Sequence, residues 1–137
     1  MSGSPQMWTY NQTSGWLDKD GVLVSKTSYS GFGLGLNNPA LQNVANVGPI
    51  PAGAWTIEIP PFNDPEHGPY CLRLTPKPGT VTYGRSGFLW HGDEAEHPGE
   101  HLASHGCIVS DRATRTRVYQ SGDTDLDVIS TLPQETI

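Results

Sequence analysis

Short apolar runs, most alternating with polar residues and broken at turn-forming positions, set the character of this chain. Ala54-Trp55-Thr56-Ile57-Glu58-Ile59 sets Trp and Ile against Thr and Glu at a period of two, the signature of a half-buried strand. Cys71 to Leu74 alternates in the same way, and Phe88-Leu89-Trp90 reads as a buried strand ending at His91. Cys107-Ile108-Val109 and Leu126 to Ile129 add two more. Met7 to Asn11 and Val22 to Thr27 flank the turn-rich Asp18-Lys19-Asp20-Gly21 and predict a hairpin. The one longer helix falls at Asp111 to Gln120, with Ser110 or Asp111 as N-cap and Gly122 as its stop. Asn38-Pro39-Ala40-Leu41-Gln42 predicts a single helical turn. The fold class that follows is mostly β with one or two short helices. No linker, internal repeat or low-complexity tract breaks residues 1–137, so one domain is expected.

Composition sharpens this picture. Sixteen glycines and twelve prolines make up about a fifth of the 137 residues, well above the usual share, which fits many turns and short elements. The glycine-rich stretch 29–35 lacks G-x-G-x-x-G spacing, a long following helix and an acidic partner, so it is not read as a nucleotide site. Gly48-Pro49-Ile50-Pro51-Ala52-Gly53 reads as a rigid turn leading into a strand. The net charge of −6, with only eight scattered basic residues, argues against a nucleic-acid surface. No run reaches the roughly 18 apolar residues of a membrane span. The N-terminal Met1-Ser2-Gly3-Ser4-Pro5-Gln6 has neither a basic nor an apolar region of the signal-peptide kind, and synthesis in the cytoplasm is the expectation. A reducing cytosol leaves both cysteines free, with Cys71 a buried strand residue.

The candidate chemistry is concentrated late in the chain. His91, His97, His101, His105 and Cys107 fall within seventeen residues and include four of the five histidines. One reading is a zinc site: His97, His101 and His105 are spaced i, i+4, i+8, which would align three imidazoles on a helix. Pro98-Gly99 disfavours that helix, and no H-E-x-x-H pattern occurs. No metal and no cofactor are expected. The other reading is a cysteine–histidine acyl transferase or hydrolase, with the strand-end His91 as base, Cys107 as nucleophile and the loop 92–103 inserted over the site. A thiol needs a nearby base to act as thiolate at neutral pH, and a glycine before it lets substrate and backbone approach closely. Backbone N–H groups there can stabilise an oxyanion. The plainer alternative, a small core cysteine beside a satisfied histidine, is disfavoured by the paired H-G-D and S-H-G-C-I strings.

Those strings carry a resemblance. Ser104-His105-Gly106-Cys107-Ile108, with Cys107 sixteen residues after His91, resembles the signature of YkuD-type L,D-transpeptidases. Tyr29-Ser30-Gly31, Asn37-Asn38-Pro39, Gly48-Pro49-Ile50-Pro51-Ala52-Gly53, Gly84-Arg85-Ser86-Gly87-Phe88-Leu89 and His91-Gly92-Asp93 narrow it to the branch containing type VI secretion L,D-transpeptidase-like effectors. The resemblance spans roughly residues 8 to 130. It implies a curved sheet or β-sandwich of the L,D-transpeptidase catalytic-domain kind. It further implies attack by Cys107 on the meso-diaminopimelate–D-alanine bond of peptidoglycan tetrapeptide stems, through a thioester. Water, a free D-amino acid or a second stem would complete the reaction.

Position by position, the resemblance implies His91 as base, Cys107 as nucleophile and His105 as a histidine shaping the pocket. Gly106 and Cys107 match the oxyanion-hole backbone, and Ser104 belongs to the same pocket motif. Asp93 orients either His91 or a loop. Arg85, Tyr29 and Arg112 are the candidates for substrate binding. Val109 stands where many relatives carry an arginine or asparagine, a role that Arg85, Arg112 or Arg115 would have to fill. The loop from Glu94 to Ala103 is long for the branch and contains His97, the reserve candidate for the base. The same resemblance implies delivery by a type VI apparatus to the periplasm of a target bacterium, with an immunity protein as partner. Rival readings are a catalytically idle wall-binding module of the same fold, a His-rich zinc hydrolase, and a housekeeping transpeptidase derived from a longer precursor.

Overall fold

The structure, a computed structural model, describes residues 7–93, 104 and 106–130. Within these residues one mixed sheet holds nine strands: β1 (Trp8–Asn11), β2 (Leu17–Lys19), β3 (Val22–Ser25), β4 (Tyr29–Ser30), β5 (Gly53–Asp64), β6 (Gly68–Pro76), β7 (Leu89–His91), β8 (Ile108–Val109) and β9 (Asp125–Ile129). Their order across the sheet is β3-β2-β1-β9-β5-β6-β7-β8-β4. Most neighbours are antiparallel, and β1–β9 and β7–β8 run parallel. The single α-helix, α1, covers Arg112–Ser121, and short 3-10 turns lie at Gly33–Gly35 and Pro39–Leu41. The architecture is the mostly β, one-helix fold that the apolar pattern predicts.

Local signals account for the boundaries. Asp111 caps α1 by accepting the Thr114 N–H at 2.8 Å, and Gly122 ends the helix in the left-handed conformation. Asn38 accepts the Ala40 N–H at 3.1 Å and opens the turn that Pro39 begins. The first hairpin differs from expectation. Leu17–Lys19 is itself a strand, so β1, β2 and β3 form a meander in which β2 pairs with both neighbours. The reversal is confined to Asp20 and Gly21, whose φ values of 51° and 86° suit a two-residue hairpin turn.

The second hairpin is far longer than its alternating patterns. β5 continues past Ile59 through Pro60 and Pro61 to Asp64, and β6 begins at Gly68. Two prolines remove ladder donors and erase the period-two pattern, and the β5–β6 register shifts between Glu58 and Phe62 to absorb them. This extension carries the hairpin tip, residues 64–67, well beyond the core.

Core residues come from every long element. Trp8, Tyr10, Leu17, Ile50, Trp55, Ile57, Leu72, Trp90, Ile108 and Leu126 are all essentially inaccessible to solvent, and Val118 brings α1 onto the same cluster. Trp55 and Phe88 meet edge-on, with ring centroids 5.0 Å apart. Several buried polar groups are paired with one another. Trp90 Nε1 donates to Ser110 Oγ at 2.8 Å, and Ser110 Oγ lies 2.6 Å from Ser28 Oγ. Leu72→Ala should therefore cost about 2–5 kcal/mol in urea denaturation, because it opens a cavity where β6 meets β7. Asp111→Ala, which removes only a cap, should cost about 1 kcal/mol.

Candidate active site

β7 and β8 create the site by their register. Trp90 pairs with Ile108 and His91 with Val109, and both Trp90 and Ile108 are fully buried. Alternation along a strand sends His91 to the face opposite Trp90, and places Cys107, the residue just before β8, on that same side. Cys107 is 9% and His91 1% exposed. One donor atom from each of Cys107, His91 and His67 lies within 4.8 Å of the other two.

Hydrogen bonds fix the His91 tautomer. Nδ1 lies 2.8 Å from the Gly92 carbonyl, which can only accept, so Nδ1 carries the proton. Nε2 is left with its lone pair, buried and without a hydrogen-bond partner among the described residues. Burial pushes the His91 pKa down to about 4, against a smaller rise from the Gly92 carbonyl. Burial also pushes the Cys107 thiol up to about 11, opposed chiefly by the Leu89 N–H that reaches Sγ at 3.3 Å. At neutral pH the resting pair is a neutral thiol and a neutral imidazole. A thiol attack from this pair would need proton transfer to accompany it rather than precede it.

The turn before Cys107 is built by serines. Ser104 Oγ donates to the Cys107 carbonyl at 2.6 Å and accepts the N–H groups of Gly106 at 3.1 Å and Gly31 at 3.0 Å. Ser30 Oγ donates to the Gly106 carbonyl at 3.3 Å and accepts the Ile50 N–H at 2.8 Å. Gly106 has φ +140°, and a Cβ there would sit 2.3 Å from Arg85 Nη2, so only glycine fits. Because Ser104 engages the Gly106 N–H, the Cys107 N–H is the backbone donor left for an oxyanion; it makes no hydrogen bond among the described residues.

Arg85 and Arg115 tie the site to the rest of the fold. The Arg85 guanidinium donates to the carbonyls of Gln42, Gly48 and Pro49 and lies over Phe88. It lines the cleft but is already engaged. Arg115 donates to the carbonyls of Ser110, Pro69 and Tyr70, which joins α1 to the start of β6. Arg112 is exposed and lies over the Tyr70 ring, away from the cleft. Tyr29 OH donates to Asp93 at 2.7 Å, and both line a second depression of about 440 Å³ that Cys107 does not reach. His97, His101 and His105 lie outside the described residues.

The sequence reading overlooked His67. The β5–β6 tip brings its ring to 4.5 Å from that of His91, centroid to centroid, and its Nδ1 lies 2.8 Å from Asp64 Oδ2. The same carboxylate accepts the N–H groups of Glu66 and His67, which folds the tip into a compact turn; the His67 side chain first, then these two N–H groups, hold the Asp64 pKa low. Asp64-Pro65-Glu66-His67-Gly68 is a visible turn string, but nothing in it marks how far the hairpin reaches. Glu66, His67, Arg85, Ser86, Phe88 and Cys107 line an open cleft of about 460 Å³.

The depressed His91 pKa fixes a pH dependence. The unfolded imidazole titrates near 6.5 and the folded one near 4, so the unfolded state binds more protons between these values. The stability contribution is complete above about pH 6.5 and is lost as pH falls toward 4, by roughly 3 kcal/mol. Denaturation midpoints of the parent and His91→Gln should converge as pH falls through this window.

Comparison with known proteins places these features in a family. Among curated proteins no sequence matches significantly. The family model described as the Tlde1 domain matches residues 25–128. Similar solved structures include an L,D-transpeptidase from Stackebrandtia nassauensis, with a TM-score of 0.59 and 15% identity, covering 96% of this chain and 58% of that one. L,D-transpeptidase 1 of Mycobacterium tuberculosis gives 0.56 and 14%, and an L,D-transpeptidase from Mycobacterium smegmatis gives 0.51 and 19%, each covering 93% of this chain and 60% of the other. The chain thus spans about 58–60% of the length of these structures. It belongs to the Tlde1 domain family, and its fold is that of the L,D-transpeptidases.

Proposed function

We propose that this domain is a cysteine enzyme of peptidoglycan, acting on the meso-diaminopimelate–D-alanine bond of tetrapeptide stems. The observation that carries the reading is the Cys107 thiol, which lines an open cleft beside the His91 imidazole whose Nε2 has no hydrogen-bond partner among the described residues, in a Tlde1 domain. In the reaction, His91 Nε2 takes the thiol proton as Sγ attacks the diaminopimelate carbonyl. The Cys107 N–H faces the oxyanion. The imidazolium, held through Nδ1 by the Gly92 carbonyl, returns its proton to the departing D-alanine amine. The remaining thioester passes its acyl group to water, to a D-amino acid or to the amine of another stem. A cleft lined by both Glu66 and Arg85 suits a short peptide that bears both charges better than a polyanion.

Family membership also supports the reading that the domain works as an antibacterial type VI effector. It would be delivered to the periplasm of a target cell and restrained in the producer by an immunity protein. Removing donor tetrapeptides would deprive the wall of cross-linking substrate.

Mass spectrometry of purified tetrapeptide muropeptides, with and without added D-amino acid, tests the enzymatic reading. The parent should release or exchange one D-alanine, and Cys107→Ala should be slower by about 10³-fold or more. His91→Gln should fall by a similar order. Equal D-alanine release by the parent and Cys107→Ala would refute the thiol mechanism. No turnover by a folded parent protein would favour an idle wall-binding module.

A further inference from the structure

We propose that His67, His91 and Cys107 form a three-ligand site for a thiophilic divalent cation of the zinc type, closed on its outer side by Asp64. The proposal needs only these side chains and does not depend on the peptidoglycan reading. Their donor atoms already lie within 4.8 Å of one another. Tetrahedral coordination at bond lengths of ~2.0–2.3 Å separates ligand atoms by roughly 3.3–3.8 Å, so closure by about an ångström completes the set. His91 and Cys107 are held by the paired strands β7 and β8, and His67 sits half-buried on a hairpin tip, where a small approach is inexpensive.

Two independent features prepare the ligands. Each histidine has its Nδ1 held by an oxygen acceptor: Asp64 Oδ2 for His67 and the Gly92 carbonyl for His91, both at 2.8 Å. That arrangement fixes both rings in the tautomer whose Nε2 lone pair is open. It is the same outer-shell support that orients histidines on bound metals, with carboxylate and carbonyl as the usual acceptors. The second feature is the His91 Nε2 itself, fully buried and with no hydrogen-bond partner among the described residues. A polar atom in that state is costly to leave unsatisfied, and a cation bound beside Cys107 would satisfy it.

Charge balances as well. Binding releases the thiol proton to solvent and leaves a thiolate, which together with the Asp64 carboxylate offsets the two positive charges of the ion. The fourth position faces the open cleft and takes water. One thiolate and two imidazoles select a borderline or soft ion over calcium or magnesium, which prefer oxygen ligands. A bound ion would also cap the only cleft-facing thiol among the described residues, so metal and thiol chemistry exclude each other at this site.

Cobalt(II) is the probe, because its coordination to a thiolate gives a near-ultraviolet charge-transfer band. Metal-free parent protein, titrated with Co²⁺ and then Zn²⁺, should show that band at one equivalent and lose it to one equivalent of Zn²⁺. Cys107→Ser should abolish the band and His67→Ala should weaken binding by at least about 10-fold, while Asp64→Asn weakens it by about 10–100-fold. Circular dichroism checks that the hairpin-tip variants, His67→Ala and Asp64→Asn, remain folded. A parent protein without the band would overturn the site. So would unchanged affinity in folded His67→Ala, or binding lost only in a His97→Ala/His101→Ala double variant.

Discussion

The parallel pairing of β7 with β8 is the constraint on which the site depends. The strands are only three and two residues long, and few ladder bonds hold them. Their register is set instead by burial. Trp90 and Ile108 stand side by side in the core, and a slip of one residue would turn an indole toward the cleft and an imidazole into the core. Exchanging a buried Trp contact for such an arrangement costs on the order of 3–5 kcal/mol, more than short strands recover from hydrogen bonds. With the register locked, His91 and Cys107 must share one face.

Register places the residues, and a set of small polar groups shapes what lies between them. Ser104 and Ser30 hold the carbonyls and N–H groups around Gly106 and Cys107, and Arg85 gathers the 42–49 segment against Gly106 through three carbonyls. These contacts explain why a serine, a glycine and a distant arginine accompany the thiol. They position the backbone around the thiol. Of the three arginines that sequence spacing leaves open for substrate, Arg85 and Arg115 donate to backbone carbonyls in the folded chain and Arg112 lies over Tyr70.

Much of this was legible in the sequence, for reasons that can be named. Capping chemistry marked α1 at Asp111 and Gly122, and period-two alternation marked the strands around Trp55, Cys71 and Leu126. The H-G-D and S-H-G-C-I strings marked the chain as L,D-transpeptidase-like, and the Tlde1 domain match agrees with that. Other features were not legible because they are long-range. Pro60 and Pro61 hid the extension of β5, and without that extension nothing placed His67 against His91. Asp18 and Lys19 read as part of the turn 18–21 because the strand Leu17–Lys19 is short and polar at two of three positions. Tyr29 and Asp93 find each other across the sheet edge, away from the thiol, a relation that no local spacing encodes.

The neutral pair at rest ties the fold to the chemistry. Burial disfavours both the thiolate and the imidazolium, so in the proposed reaction charge would develop only as the carbonyl is attacked, beside groups already in place: the Gly92 carbonyl on Nδ1, the Leu89 N–H at Sγ and the Cys107 N–H. Under the proposed function, such a thiol would be poorly reactive toward chance electrophiles and would rely on substrate binding to bring out its nucleophilicity. The direct test is intact-protein mass spectrometry of a rapidly quenched reaction with tetrapeptide stems, followed by peptide mapping. The account predicts an acyl adduct, equal to the stem less D-alanine, on the peptide containing Cys107. D-alanine release with no adduct on that peptide, or an adduct on Cys71 instead, would contradict it.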